Sequence, residues 1–442
     1  MRVPRPATSV TSPRRALATV VLVVFVDLLG FGIVIPILPF YVRSFGVSDV
    51  FIGLLAASYS LMQFGFAPLL GRLSDERGRR PVLMLSLAGS AVAWTVFGLA
   101  GEVGALLGVT GGVATLFFSR MVAGAMGGNI ATAQAYVADV TPRERRAGAL
   151  GLVGASFALG FIFGPALGGV LASDAVVAGA RRVFPAFVPA TRFSLPSFGA
   201  ASLSLLSLLL AALFLAEPER TRRAGGETLL GQFRTALSDP DLRGLVAAFF
   251  LVSLAFSGVQ VMFIPFVADV YGYDASQAAA LLTYVGVLGV LNQGVLVGRL
   301  SRRYGDRPLA LVGAGVLAVA LAGLPLAPAL GRRAFGALAV PLAPEVVALL
   351  VVLALLSFGN SLLNVSLATL VSAGASDDAQ GSAFGVTQGA GSLGRTVGPP
   401  AMALLYAAVA VWAPFALGAL LVVPILALLG WAAGRPAATP VD

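Results

Sequence analysis

From position 16 to position 433 the chain is one apolar run after another, each about 20 residues long, the length at which an α-helix crosses a hydrocarbon layer roughly 30 Å thick. Short polar stretches rich in Arg, Gly and Pro divide them. Hydrophobic residues make up 58% of the 442 and charged residues only 11%. A soluble domain carries about 25% charged residues, so too few are present here to coat a water-facing surface, and lipid must cover much of it. In lipid every backbone N–H and C=O needs a partner within the protein, which leaves helices and closed barrels as the ways across. Barrel strands read as alternating segments of about ten residues. The runs here are continuous Leu, Ala, Val and Gly, so an all-α membrane protein is expected. Twelve spans are expected, at about 16–42, 50–71, 81–101, 108–138, 147–172, 196–216, 242–268, 276–299, 308–328, 345–373, 380–407 and 410–433. An even number returns both termini to one side.

The chain has no Cys, His or Lys; all 29 basic residues are Arg. Disulfides, thiolate metal sites and imidazole proton shuttles are therefore absent, and neither a metal nor another cofactor is expected. The net charge of +9 does not point to a nucleic-acid partner, because the arginines sit in the loops between spans. On the side of the termini there are 21, the other side has six (Arg43, Arg181, Arg182, Arg192, Arg332, Arg333), and Arg120 and Arg395 fall inside spans. By the positive-inside rule both termini are cytoplasmic in a multi-pass protein of a bacterial inner membrane. Arg2, Arg5, Arg14 and Arg15 precede the first run as in a signal peptide. That run is too long and lacks a small-residue cleavage site, so it is read as an uncleaved first helix.

The two halves repeat. Residues 71–81 read GRLSDERGRRP and residues 298–308 read GRLSRRYGDRP, with seven of eleven positions identical. GFIFGP at 160–165 matches GRTVGP at 394–399 at both glycines and the proline, and LPF at 38–40 resembles IPF at 264–266. The expected organisation is a first six-helix bundle over 1–216, a cytoplasmic linker over 217–241 with an amphipathic surface stretch, and a second bundle over 242–442. Repeated bundles of this kind place a substrate site near the midplane between them. The loop 173–195, with three Arg and two Pro, suggests nothing beyond connection.

The loop after the second span carries Gly71, Leu73, Asp75, Gly78, Arg79 and Arg80. Gly78 suits a turn that needs φ > 0, and Gly71 suits a close helix approach. Asp75 and the arginines can form an interfacial charge cluster that holds a cytoplasmic gate in one state and parts in the other; the alternative is that the arginines only fix topology. The string resembles the G-x-L-x-D-x-x-G-R-[KR] signature of the major facilitator superfamily, with Glu76 at a commonly basic position. Asp139, at the end of the fourth span in DVTPRER, can meet those arginines; the repeat position, VSAGASDDAQG at 371–381, is acidic and lacks Arg. In the fifth span Gly160, Gly164 and Gly168 share a helix face, Gly169 adjoins it, and Pro165 bends the helix. That string resembles the G-x-x-x-G-P-x-x-G-G signature of the superfamily's antiporter branch. The first span, DLLGFGIVIPILP at 27–39, is similar to that of tetracycline-exporter-like antiporters.

Asp27 is expected about eleven residues into its helix, roughly 16 Å deep, where a carboxylate is costly unless paired, hydrated or protonated. It is the one acid deep in any span, so a proton-coupling role is expected; the alternative is an acid held for packing alone. Arg120 lies a dozen residues into the fourth span, before MVAG. The resemblance links an R-x-x-x-G stretch here to proton transfer. An Asp27–Arg120 pair would offset both burial costs and loosen on protonation; the alternative is a static pair, or an Arg reaching to the interface. Arg395 either faces the central cavity, meeting Asp27 or an anionic group of the substrate, or reaches outward. Other polar residues in spans are cavity candidates: Gln63, Asn129, Gln134, Gln260, Asn292, Gln293, Asn360, Asn364 and Gln388, with Tyr59 and Tyr284 able to stack on an aromatic substrate. For each the plainer role is an interhelical hydrogen bond.

No P-loop and no metalloprotease motif is present, and an enzyme built on paired acids has only one deep acid to use. The expectation is therefore not an enzyme but a secondary transporter working by alternating access. In detail it is a proton-coupled exporter of a small, partly apolar compound, acting as a monomer with protons, substrate and the bilayer as its partners and no nucleic acid. The alternatives are a proton-coupled importer of a metabolite or sugar, and a membrane enzyme or receptor without transport.

Overall fold

The structure, a computed structural model, describes residues 13–142, 145–218, 240–336, 341–374 and 380–431. Every regular element among them is helical. The first half holds α1 (Pro13–Val34), α2 (Leu38–Ser44), α3 (Val50–Arg77), α4 (Arg79–Met126), α5 (Asn129–Val140), α6 (Arg146–Leu171), α7 (Asp174–Val183) and α8 (Ser194–Phe214). The second holds α9 (Pro240–Tyr271), α10 (Ala275–Leu291), a π-helical turn (Asn292–Leu296), α11 (Val297–Tyr304), α12 (Asp306–Phe335), α13 (Pro344–Gly374), α14 (Gln380–Ala408) and α15 (Ala413–Trp431).

All twelve expected spans fall on these helices. The first is α1 with α2, parted around Pro36. The third and fourth share α4, which breaks its winding at Gly108 with φ of 76°, a value that only glycine takes without steric cost. Leu106 and Leu107 are exposed at that bend. Among the described residues ten stretches are long and apolar enough to cross a membrane, and one of them, Arg79–Val140, contains both the third and fourth spans. The eleventh expected span is α14, whose 29 residues suffice for a crossing at about 1.5 Å per residue. The short helix α7 inside the loop 173–195 was not expected from the sequence.

Two compact units form. The first is Met1–Ala224 together with Val267–Tyr284, and the second is Gly225–Phe266 together with Val285–Asp442. The first unit thus takes in the end of α9 and the start of α10 from the second half of the sequence. Within it α1 packs chiefly on α6 and α8, and α4 on α3 and α8. Its core joins Val20, Val23, Val24 and Leu28 of α1 to Leu83 and Leu87 of α4, Tyr136 and Val137 of α5, Val153 of α6 and Leu215 after α8. In the second unit α12 packs on α13 and α15. Of the expected linker 217–241, residues 219–239 lie outside the described residues, as do 375–379 in the acidic stretch after α13.

Glycine faces set the closest approach in each unit. A Cβ on Gly32 of α1 would lie 2.7 Å from the carbonyl oxygen of Gly160 and 2.9 Å from Cα of Gly164 on α6, and one on Gly164 would lie 2.5 Å from Cα of Gly32. Gly168 closes on the backbone of Ile33 in the same way. In the second unit Gly394 of α14 would set a Cβ 2.8 Å from that of Ser253 and 2.9 Å from the carbonyl oxygen of Phe250 on α9, and Gly398 abuts Ser257. The sequence repeat is therefore a packing repeat: the first and fifth spans of each half meet through the same glycine positions.

Candidate functional site

Asp27, 8% exposed, sits on α1 one turn before Phe31. Ser204 of α8 donates its hydroxyl to Asp27 Oδ1 at 3.2 Å. Arg120 of α4, 6% exposed, has its guanidinium carbon 4.5 Å from the ring centre of Tyr59, 5.6 Å from Trp94 and 5.9 Å from Phe31. Rings so placed attract a cation through their quadrupoles, the more so where water is excluded. Phe31 joins the cage to the α1–α6 seam, touching Tyr59 at 5.8 Å, and Trp94 and Phe161 each at 6.2 Å between centroids. The backbone allows this closeness: Gly124, one turn after Arg120, leaves room for the main chain of Tyr59, and Gln63 donates to the carbonyl of Gly127 at 3.2 Å. Ser119 ties together the two arms of α4, on either side of the bend at Gly108, by donating to the carbonyl of Ala93 at 2.7 Å. The acid and the cage thus adjoin along α1, with a hydroxyl at Asp27 and three rings, Phe31 among them, around Arg120. The cage is not legible in the sequence, where Tyr59 reads only as a residue able to stack on an aromatic substrate or to bond between helices.

A second centre forms at the ends of α3, α4, α5 and α8. Arg79 bridges two acids, with Nη1 2.6 Å from Asp75 Oδ1 and Nε 2.9 Å from Asp139 Oδ2, and it donates to Ser74 Oγ at 3.0 Å. Gly78 turns the chain at φ of 121°, and its repeat counterpart Gly305 does so at 77°. Glu217 was missed by sequence reasoning. Its carboxylate accepts the backbone N–H groups of Arg79 at 2.7 Å and Arg80 at 2.9 Å, capping the start of α4, where free N–H groups and the helix dipole favour an anion. A Cβ on Gly78 would lie 2.8 Å from Glu217 Oε2, so the glycine serves both the turn and the cap. Arg80 donates to the carbonyl of Ala212 at 2.6 Å, and Tyr136 to that of Ala216 at 2.7 Å. The close approach expected at Gly71 is absent, because a Cβ there would meet nothing within 4 Å; it lies on a face of α3 left uncovered. Glu76 pairs with Arg72 at 3.0 Å, both exposed.

Arg43, read in the sequence only as a loop charge, holds a third centre. Its Nε and Nη2 each lie 2.7 Å from the two oxygens of Asp49, and Nη1 and Nη2 lie 2.7 and 2.8 Å from those of Asp269 at the end of α9. Two forked, charge-assisted contacts on one guanidinium give strong geometric definition. Nearby in sequence, Ser276 donates to the carbonyl of Gly169 at 2.9 Å, and Thr283 to that of Ile162 at 3.3 Å. A Cβ on Gly169 would lie 2.9 Å from that of Ala279. The end of α9 and the start of α10 are thus tied to the α2–α6 side of the first unit.

The remaining polar candidates divide between the two units. In the second unit Asn292 and Gln293, both in the π-helical turn, reach within 3.5 Å of Ser357 and Ser361 on α13, and Asn364 donates to Asn360 Oδ1 at 2.8 Å. Gln134 and Gln260 are exposed on α5 and α9, and Tyr284 is half-buried on α10. The side chains of Asn129 and Gln388 lie outside the described residues. Arg395 donates to Ser392 Oγ one turn back on α14 at 2.9 Å and lies beside Gly391.

The comparisons with known proteins agree with this architecture. The model of the Major Facilitator Superfamily matches residues 20–399. The class E tetracycline resistance protein of Escherichia coli is 30% identical over 307 residues, covering 68% of this chain and 69% of that protein. The class D tetracycline resistance protein of Salmonella ordonez is 31% identical over 398 residues, covering 88% of this chain and 89% of that one. Among solved structures, the human organic anion transporter MFSD10 (TETRAN) superposes with a TM-score of 0.64 at 23% identity, over 94% of this chain and 99% of that one. With its helices paired through the repeated glycine faces and its relatives transporters rather than enzymes, the chain belongs to the Major Facilitator Superfamily and is a multi-pass membrane transporter.

Proposed function

We propose that the protein is a proton-coupled exporter of a small, partly apolar compound, working by alternating access as a monomer in a bacterial inner membrane with both termini in the cytoplasm. The observation that carries this reading is Asp27, a carboxylate 8% exposed in the first span, hydrogen-bonded to Ser204 and one turn from the cage of Arg120. A carboxylate so placed is a group that gains and loses a proton as its surroundings alternate between two openings. The cage holds the Arg120 guanidinium beside Phe31, one turn along α1 from that carboxylate. Relatives named for tetracycline resistance support export. The Arg79 cluster, capped by Glu217, serves as the cytoplasmic gate, and the Arg43 cluster is its counterpart at the other end of the first unit.

The test is transport into inside-out vesicles with an imposed pH gradient, using a panel of tetracycline, lipophilic amines, aromatic carboxylates and sugars. Accumulation of an apolar compound driven by internal acid is the expected result. Accumulation only in right-side-out vesicles would assign an importer instead, and indifference to the gradient would remove proton coupling.

A further inference from the structure

Residues Arg181 to Phe187, reading RRVFPAF, are all exposed. Val183 is 79% exposed, Phe184 45% and Phe187 85%. The segment is not a loose loop. Val177 of α7 packs on Ala190 and Leu195, Arg181 Nε donates to the carbonyl of Ala190 at 3.0 Å, Arg192 pairs with Asp174 at 2.7 Å, and Ser194 donates to the carbonyl of Pro189 at 2.6 Å. Its apolar side chains are therefore presented by an ordered platform, with Pro185 holding Phe184 extended. Arg182 has no ion pair or hydrogen bond among the described residues.

Position decides what covers this patch. α7 begins three residues after α6 ends, and α8 begins at Ser194; both are spans, so the platform lies where their common end leaves the hydrocarbon. A bilayer surface is thus kept within reach of the patch by the spans on either side of it. The chemistry fits that surface: large apolar side chains seek the boundary of the acyl chains, and paired arginines seek phosphate at headgroup depth. We propose that Arg181–Phe187 is a membrane-surface foot that seats Val183, Phe184 and Phe187 in the acyl boundary and binds anionic phospholipid headgroups through Arg181 and Arg182.

The natural absence of Cys makes the test direct. Phe184→Cys and Phe187→Cys, each in the full chain and carrying a nitroxide, are reconstituted in phosphatidylcholine vesicles with and without phosphatidylglycerol. Leu205→Cys, 54% exposed in the middle of α8, serves as the reference for hydrocarbon depth. Collision rates with oxygen and with a water-soluble nickel chelate give immersion at each site. Both labels in the foot should favour oxygen, and phosphatidylglycerol should raise the ratio of immersed to water-facing label by on the order of fivefold per arginine. Arg182→Gln alone should remove part of that increase, and Arg181→Gln with Arg182→Gln all of it, while the Leu205→Cys site stays unchanged. Preference for the chelate at both sites, shielding from both reagents by protein, or immersion indifferent to lipid charge would each overturn the proposal. None of these readings depends on transport, so the foot and the exporter stand or fall separately.

Discussion

Replacing Gly164 by Ala puts a methyl group where the backbone of α1 already is. The new Cβ would lie 2.5 Å from Cα of Gly32, 2.8 Å from its carbonyl carbon and 3.0 Å from the carbonyl oxygen of Leu29. Ordinary contact begins near 3.4 Å, so the two helices must part by about 0.9 Å over the stretch where α1 carries Asp27 and Phe31. All three obstacles are main-chain atoms, which cannot swing aside as a flexible side chain would. Overpacking of this kind costs about 1–3 kcal/mol, and the upper part of that range is expected here. For a unit of this size 1 kcal/mol corresponds to about 2–4 °C in Tm, so thermal unfolding in detergent should fall by several degrees. The matched control is Gly154→Ala in the same helix, where a Cβ meets nothing within 4 Å; removing a helical glycine there should be neutral or gain about 0.5–1 kcal/mol. Substrate-stimulated proton flux should fall in the Gly164 variant and hold in the control. Equal stability of the two variants would refute the account of a glycine seam between α1 and α6.

Asp27→Asn should abolish transport driven by a pH gradient while leaving substrate exchange at equal pH; full gradient-driven transport would remove the proton role. Glu217→Ala should lower stability by about 0.5–2 kcal/mol through loss of the α4 cap, with a midpoint in denaturant unchanged from the native chain as the contrary result. Arg43→Gln leaves Asp49 and Asp269 facing each other without their cation. It should cost about 1.5–3 kcal/mol, more than Asp269→Asn, which leaves one complete pair; the reverse order of unfolding temperatures would contradict the bridging role.

The helices, the repeat and the sharp turn at Gly78 were legible because each is written in local composition: apolar runs, a duplicated string, a glycine where φ is positive. The contacts that build the centres were less so. Phe31, Tyr59 and Trp94 lie on three different helices, and nothing in their immediate neighbours marks them as partners of Arg120. The Arg43 cluster joins residues more than two hundred positions apart, so the arginine looked like one more charge in a loop. Glu217 sat in a stretch dominated by arginine, where its value as a cap depended on a helix start far earlier in the chain. Gly71 failed in the other direction: its motif position suggested close packing that the packing of α3 does not provide.

The turn at Asn292–Leu296 winds wider than an α-helix, and two consecutive residues in it, Asn292 and Gln293, both reach serines of α13. In regular winding neighbours point about 100° apart, and the wider winding narrows that angle. A π bulge amounts to a single inserted residue. Deleting one amino acid from that turn would therefore restore ordinary winding and leave α11, with Arg299, Arg302 and Arg303, at nearly its present bearing against α10, because the wider winding already takes up the extra residue. The spare residue is absorbed where it sits, so the basic end of the eighth span keeps its compass bearing relative to the apolar start.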